Sequence, residues 1–466
     1  MSLIEKSATE IVALLASGAV GSLDLLDAVE TRIAAVDPFV NALPTLCLDR
    51  ARSAATERPC GPRDVLHGIP VVIKDLSDVS GVRSTSGSPI FADHIPLQSA
   101  HGVERIENAG GIVFAKSNTP EFGAGANTFN DVFGATRNPW NTHLSAAGSS
   151  GGSAVALATG MAWLAHGSDM GGSLRNPASF CGVVGLRPSP GRVLSGPSAD
   201  PFDPLSTDGP MARTVDDVAL LLDAMSGHDP REPLSLDAPA RSFRAVAAER
   251  QRPRRIAFSA DLGITPVDQE VADLCRAAAA RFEGLGVIVE EAAPDLSQAH
   301  EVFQVLRAHS FATGMADLLA AHRDALKPEV IWNIEKGLAL TSAEIGRAQL
   351  GRAEMIAHAA TFFETYDLLL TPATIVPPFP VEERYVKSCN GVKFETYIDW
   401  LAIVYAITLI GHPALSLPCG FTRDGLPVGL QMVGRSRGEA GLLAAAGVLE
   451  DELELDHTPI FPRSPS

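Results

Sequence analysis

From residue 67 onward, short β-branched runs alternate with helix-like stretches, and this alternation constrains the fold more than any other feature of the chain. VVI at 71–73, a helix from about His101 to Asn108 and GIVFA at 111–115 form the first unit. Strands near Arg255–Ser259 and Val287–Glu290, around a helix from about Asp268 to Leu285, form another. The pattern predicts an α/β fold with a mixed, mostly parallel central sheet covered by helices on both faces. Long helices occupy roughly 300–366. DLLLTPAT (367–374), PALSLPCG (413–420) and LPVGLQMVG (426–434) read as core strands, with a closing helix from Glu439 to about Leu453. Ahead of the alternation stand two amphipathic helices, expected to act as a clasp. Ser7 and Glu10 form a capping box for the first, and the second runs from near Ser22 to just before Pro38.

At 466 residues the chain is longer than the ~250–300 at which one core usually divides. No linker, repeat or low-complexity tract separates its blocks, however. We therefore expect one domain over 1–466: the clasp at 1–66, a core at 67–215, and the rest of the sheet with pocket-forming helices and loops at 216–466. A formal charge of −18 repels phosphate backbones and anionic lipid surfaces, which argues against nucleic acid and membrane as partners. The six cysteines (Cys47, Cys60, Cys181, Cys275, Cys389, Cys419) show no CxxC pair and no zinc spacing, so neither a metal nor a cofactor is expected. Glu5, Lys6 and Glu10 interrupt what would be the apolar core of a signal peptide. The run Leu401–Gly411 falls short of the ~20 residues that span a bilayer. The expectation is a cytoplasmic protein.

Three segments carry candidate chemistry: HGIPVVIKD (67–75), AAGSSGGSA (146–154) and GSDMGGSLRNPASFCGVVGLRPSPGRV (167–193). Lys74 ends an apolar strand, which carries its amine to the C-terminal sheet edge where open α/β sheets place their sites. Burial there disfavours the charged form and yields a neutral amine able to act as a base. Gly148–Gly152 form a turn leading into a helix from about Ser153 to Leu164, and such turns gather N–H donors. MGGS at 170–173 places further N–H groups beside a serine hydroxyl, the pairing acyl transfer needs. A competing pattern exists: Gly148-Ser149-Ser150-Gly151-Gly152 satisfies GxSxG, with Ser150 as nucleophile. It requires a strand directly before Gly148, and RNPWNTHLSAA does not read as one. It also needs a downstream histidine, and none of those present sits in a distinctive motif.

Together these segments resemble the amidase signature family, marked by a lysine in a GIPxxxKD context and a Gly/Ser-rich segment of this length. The match extends through GPMARTVDD (209–217), YDLLLTPAT (366–374) and GHPALSLPCG with GLPVGLQMVG, and Ser149 and Ser173 stand the required 24 positions apart. The resemblance implies hydrolysis of a small-molecule amide to a carboxylic acid and ammonia or an amine, through an acyl-enzyme on Ser173. Lys74 would be the base, and Ser149, on a cis peptide, the bridging serine. The N–H groups of Met170, Gly171, Gly172 and Ser173 would form the oxyanion hole; Ser150, Asp169 and Arg175 would support the loop. Two departures stand out: Ala147 replaces a glycine common in the family, and SDM at 168–170 replaces Thr-Asp with a different third residue.

Two other readings stay open. One is the amidase subunit of a tRNA-dependent amidotransferase, whose glutamine-binding and partner elements would fall in 343–398; the other is a non-catalytic binding protein. Urea-like and carbamate bonds are further substrates of the family, and a homodimer is compatible with the sequence. Segments 300–345 and 376–398 are the candidate pocket walls.

Overall fold

A computed structural model describes residues 2–57, 61 and 64–464; Cys60 lies outside the described residues. One sheet of eleven strands runs through the molecule. In chain order they are β1 (Thr45–Leu46), β2 (Pro70–Lys74), β3 (Ile112–Ser117), β4 (Leu164–Asp169), β5 (Val184–Arg187), β6 (Thr207–Ala212), β7 (Arg255–Phe258), β8 (Ile288–Glu291), β9 (Leu368–Pro372), β10 (Ala414–Phe421) and β11 (Pro427–Val433). Their order across the sheet is β1-β3-β2-β4-β6-β5-β10-β11-β9-β7-β8. Parallel pairing is confined to two wings, β3-β2-β4 and β9-β7-β8. The middle, from β4 through β6, β5, β10 and β11 to β9, is antiparallel.

The sheet is thus mixed, as expected, but not mostly parallel. A parallel pair needs a crossover, which the His101–Asn108 helix gives β2 and β3 and the Gln269–Gly284 helix gives β7 and β8. By contrast, β10 and β11 form a hairpin whose turn is closed by the Thr422 N–H donating to the Leu426 carbonyl at 2.8 Å. The short spacing between the two runs, too small for a crossover, was the available signal.

Strand β2 is buried along its whole length between parallel neighbours, which explains its continuous apolar run. Because β2 and β4 are parallel, with Val71 opposite Leu164 and Val72 opposite Ala165, their C-terminal ends reach the same sheet edge. Lys74 therefore arrives beside Ser168 and Asp169.

Three local expectations change. The second clasp helix, Ser22–Val40, continues through Pro38, because the burial of Val36 and Val40 holds its last turn and Asn41 caps it at φ 52°. The apolar helix before the second motif spans Gly151–Ala158, not Ser153–Leu164. Gly160, at φ 72°, turns the chain, and Leu164 opens β4, a strand hidden in an apolar run that reads equally well as helix. Asn141–Ser145 is a strand after all, paired with Arg137–Asn138 outside the main sheet. The Leu401–Gly411 run holds a fully buried helix, Ala402–Ile410. Among the described residues no helix is long and apolar enough to cross a membrane.

The N-terminal helices are tied down by polar contacts. Arg32 donates to the Thr159 and Ile460 carbonyls at 2.7 and 2.8 Å. The buried Asp217 carboxylate accepts the N–H groups of Ala8 (2.9 Å) and Thr9 (2.8 Å) and the Thr9 hydroxyl (2.8 Å) at the start of the Ala8–Ser17 helix. Asp217→Ala removes the acceptor for those first-turn donors and should lower stability by about 1–3 kcal/mol in urea unfolding. It should also make this helix the first site of limited proteolysis; an unchanged midpoint would show that the clasp is held by other contacts.

Candidate active site

Lys74 is fully buried, and its Nζ lies 2.6 Å from Ser149 Oγ, 3.0 Å from Ser168 Oγ and 3.4 Å from the Ser168 carbonyl oxygen. Burial lowers its pKa to about 7, against the opposing charges of Asp208 and Asp169. A neutral amine has two N–H donors and one lone pair. With Ser168 accepting both N–H groups, the lone pair is left for the Ser149 hydroxyl. Ser168 was not among the expected site residues, although the SDM departure pointed to its position and a hydroxyl is kept there. A cavity of about 440 Å³, lined in part by Leu76, Thr207 and Asp208, reaches Ser168 and brings solvent close to this lysine.

The first glycine turn carries Ser149 on a cis Gly148–Ser149 peptide, with its side chain buried. Ala147 just before it sits at φ 55°, a region that favours glycine. It is held there by Ser145 Oγ, which accepts its N–H at 2.9 Å, and by Thr128 Oγ1, which donates to its carbonyl at 2.8 Å. Ser150 is completely buried, and its Oγ donates to the Ser168 carbonyl at 3.3 Å. Among the described residues no main-sheet strand leads into it, so the strand-to-turn geometry that would expose Ser150 as a nucleophile is absent.

The second turn follows β4. The Ser150 N–H donates to the Ser173 carbonyl at 3.2 Å, which fastens the two turns to one another. Ser173 itself is partly exposed, and its hydroxyl makes no hydrogen bond among the described residues. Gly172 is at φ 97°, and a Cβ there would lie 2.5 Å from Val404 Cγ2, so only glycine fits. Its N–H donates to Asp169 Oδ1 at 2.9 Å, whereas the N–H groups of Met170, Gly171 and Ser173 have no acceptor among the described residues.

Asp169 and Arg175 are both fully buried and joined by two hydrogen bonds, of 3.0 and 2.8 Å. Asp169 also accepts the Leu174 N–H at 3.1 Å and pairs with the buried Arg187 at 3.6 Å. Burial alone would raise the Asp169 pKa, but Arg175, Arg187 and the Gly172 N–H hold it well below the usual carboxylate range. Burial pulls Arg187 down to about 10, opposed by Asp169. Arg175 continues to the Val404 carbonyl (2.9 Å), Thr408 Oγ1 (3.0 Å) and Gln431 Oε1 (2.5 Å). The sequence motif contained Arg187 but did not single it out.

Of the two candidate pocket-wall segments, 300–345 reaches this centre through Phe303, and 376–398 packs against 300–345 through Tyr397. A Cβ at Gly171 would sit 3.2 Å from Phe303 Cζ and 3.9 Å from Leu401 Cδ1, and Phe303 stacks on Tyr405 with centroids 4.3 Å apart. From the second segment, Tyr397 Oη accepts hydrogen bonds from Arg307 (2.8 Å) and Asn333 (2.6 Å).

Comparisons with known proteins agree with one another. A family model described as Amidase matches residues 24–443. The chain is 36% identical over 456 residues to an acylamidase of Rhodococcus erythropolis, covering 95% of this chain and 94% of that one. It is 35% identical over 483 residues to a glutamyl-tRNA(Gln) amidotransferase subunit of Moorella thermoacetica, covering 97% and 98%. Among solved structures, a bacterial aryl acylamidase described as belonging to the amidase signature enzymes superposes with a TM-score of 0.89 at 29% identity, covering 96% of each chain.

The Asp169 cluster generates a direct expectation. Asp169→Asn leaves two buried arginines without a full counter-charge and should cost about 3–5 kcal/mol of stability in denaturant unfolding. A loss below about 1 kcal/mol would mean that Arg175 and Arg187 are neutralised by other groups.

Proposed function

Because this chain belongs to the amidase signature family, we propose that its Lys74, Ser149 and Ser173 are the catalytic residues of its amide hydrolysis. That the chain is an amide-hydrolysing enzyme follows from the family and its relatives. The single observation that carries the residue assignment is the fully buried Lys74 amine 2.6 Å from the Ser149 hydroxyl, with its pKa lowered to about 7.

In this reading neutral Lys74 takes the Ser149 proton as Ser149 takes the proton of Ser173. The Ser173 oxygen forms a bond to the amide carbonyl carbon, and the oxyanion is held by the N–H groups of Met170, Gly171 and Ser173. Gly172 holds the turn instead of donating to the oxyanion, since its N–H is committed to Asp169. The proton returns through Ser149 to the amide nitrogen, the carbon–nitrogen bond breaks, and the amine leaves. Water then adds to the acyl carbon by the same proton route and releases the acid. The two serine turns are fastened together by the Ser150 N–H on the Ser173 carbonyl, and catalytic hydrogen bonds are often long before substrate binds.

We read the protein as a free hydrolase of small amides. The −18 charge supports this, because it disfavours a tRNA backbone. The likeness to an amidotransferase subunit favours a second reading, in which the chain works only within a larger assembly. The purified chain alone should hydrolyse simple primary amides or anilides; turnover only when further subunits are added would establish the second reading.

Lys74→Ala should lower the acylation rate by about 10²–10⁴-fold with an unchanged circular dichroism spectrum. In the native enzyme kcat/KM should rise with pH through about 7 and then level off, because only deprotonated Lys74 accepts a proton. An acid optimum, or near-normal turnover of the variant, would remove Lys74 as the base. A fluorophosphonate should label Ser173 and fail to label Ser173→Ala; label found on Ser150 would restore the GxSxG assignment.

A further inference from the structure

Arg307 is a buried cation with no anion beside it among the described residues. It is 7% exposed on the helix Ala299–His322, and its Nε has no hydrogen-bond partner. Of its five N–H donors, those with partners reach Tyr397 Oη at 2.8 Å and the Met170 sulfur at 3.0 Å, a weak acceptor. The guanidinium also lies 4.5 Å from the Phe311 ring centroid. An aromatic face offsets part of the cost of burying the charge but does not satisfy N–H donors.

The nearby carboxylates are engaged elsewhere. Glu329 is held by Arg384, and Asp399 by Thr396 and Gln304. Asn333, which shares Tyr397 with Arg307, is fully buried and has an unpaired Oδ1.

The location matters as much as the missing partner. Phe303 lies one helical turn before Arg307, so both project from the same face of the helix. Phe303 meets the backbone at Gly171, and Arg307 meets Met170, the first residue of the turn that ends in Ser173. Met170 is partly exposed, and methionine is flexible enough to swing aside.

We propose that Arg307 is a specificity-determining residue that binds a carboxylate on the substrate, a short chain away from the scissile carbonyl. Met170 Sδ occupies the position that the ligand oxygen takes. The preferred substrates are then half-amides of dicarboxylic acids, with Phe303 and Leu401 flanking the connecting chain. This rests on the reading of Ser173 and its turn as the reacting centre, and it goes beyond that reading by naming the substrate class.

The test uses the full chain carrying Ser173→Ala, which binds without turnover, in calorimetry with glutaramate and its neutral counterpart pentanamide. Glutaramate should bind about 10- to 100-fold more tightly, the range expected of hydrogen bonds to a charged group. Adding Arg307→Gln should bring the ratio to within about 3-fold, and Arg307→Lys should restore part of it. Equal binding of the two ligands when Arg307 is intact, or no detectable binding of glutaramate, overturns the proposal, and that comparison does not require any Arg307 variant to fold. If glutaramate is preferred while wild-type Ser173 resists fluorophosphonate, the nucleophile assignment fails and the Arg307 subsite stands.

Discussion

The buried Asp169 carboxylate is the interaction on which the rest of the site depends. It ends a sheet strand, fixes the backbone of Gly172 and Leu174, and neutralises two arginines from different elements. Its charge is stable in the interior because those partners surround it. Without it, the Gly172 and Leu174 N–H groups of this turn would lose their acceptor and two arginines their counter-charge. With the larger effect of Asp208, the same charge acts on Lys74, where it limits how far burial can lower the amine. One carboxylate thus braces the turn and shares with Asp208 in opposing the desolvation of Lys74.

Lys74 shows the complementary use of burial. Lysine is costly to enclose, and burial lowers the Lys74 amine to about 7 with no carboxylate at contact distance among the described residues. Lys116, also fully buried, takes the other course and pairs with Asp75 at 3.1 Å. Two lysines on adjacent parallel strands thus meet the same desolvation, which lowers both amines, and they differ in that Lys116 has a carboxylate at contact distance whereas Lys74 has only serine oxygens among the described residues.

Much of this arrangement was legible in the sequence. The apolar run ending in Lys74 read as a strand that carries its amine to the C-terminal sheet edge, and the amine lies there beside Ser149 and Ser168. Ser149 and Ser173 needed the family resemblance, because glycine-serine turns are common and the GxSxG pattern favoured Ser150. Strand β4 was hidden because LATGMAWLAH has no period that separates helix from strand, and Gly160 is the one stop signal within it. Ser168 and Arg187 depend on cross-strand register, set by Leu164 facing Val71 and by the antiparallel middle of the sheet. The lone charge of Arg307 is likewise invisible in sequence, since it is defined by which carboxylates fail to reach it.

Arg175 reaches across the chain to Gln431, 256 positions later, and to Thr408, 233 positions later. The residue that braces the nucleophile turn is therefore incomplete until almost the entire polypeptide has been made. A ribosome-bound chain that has emerged through the Gly/Ser-rich core already carries Lys74, Ser149 and Ser173, yet lacks the partners that set the turn. In the proposed reading, hydrolytic competence therefore requires the C-terminal strands to have folded back onto this turn.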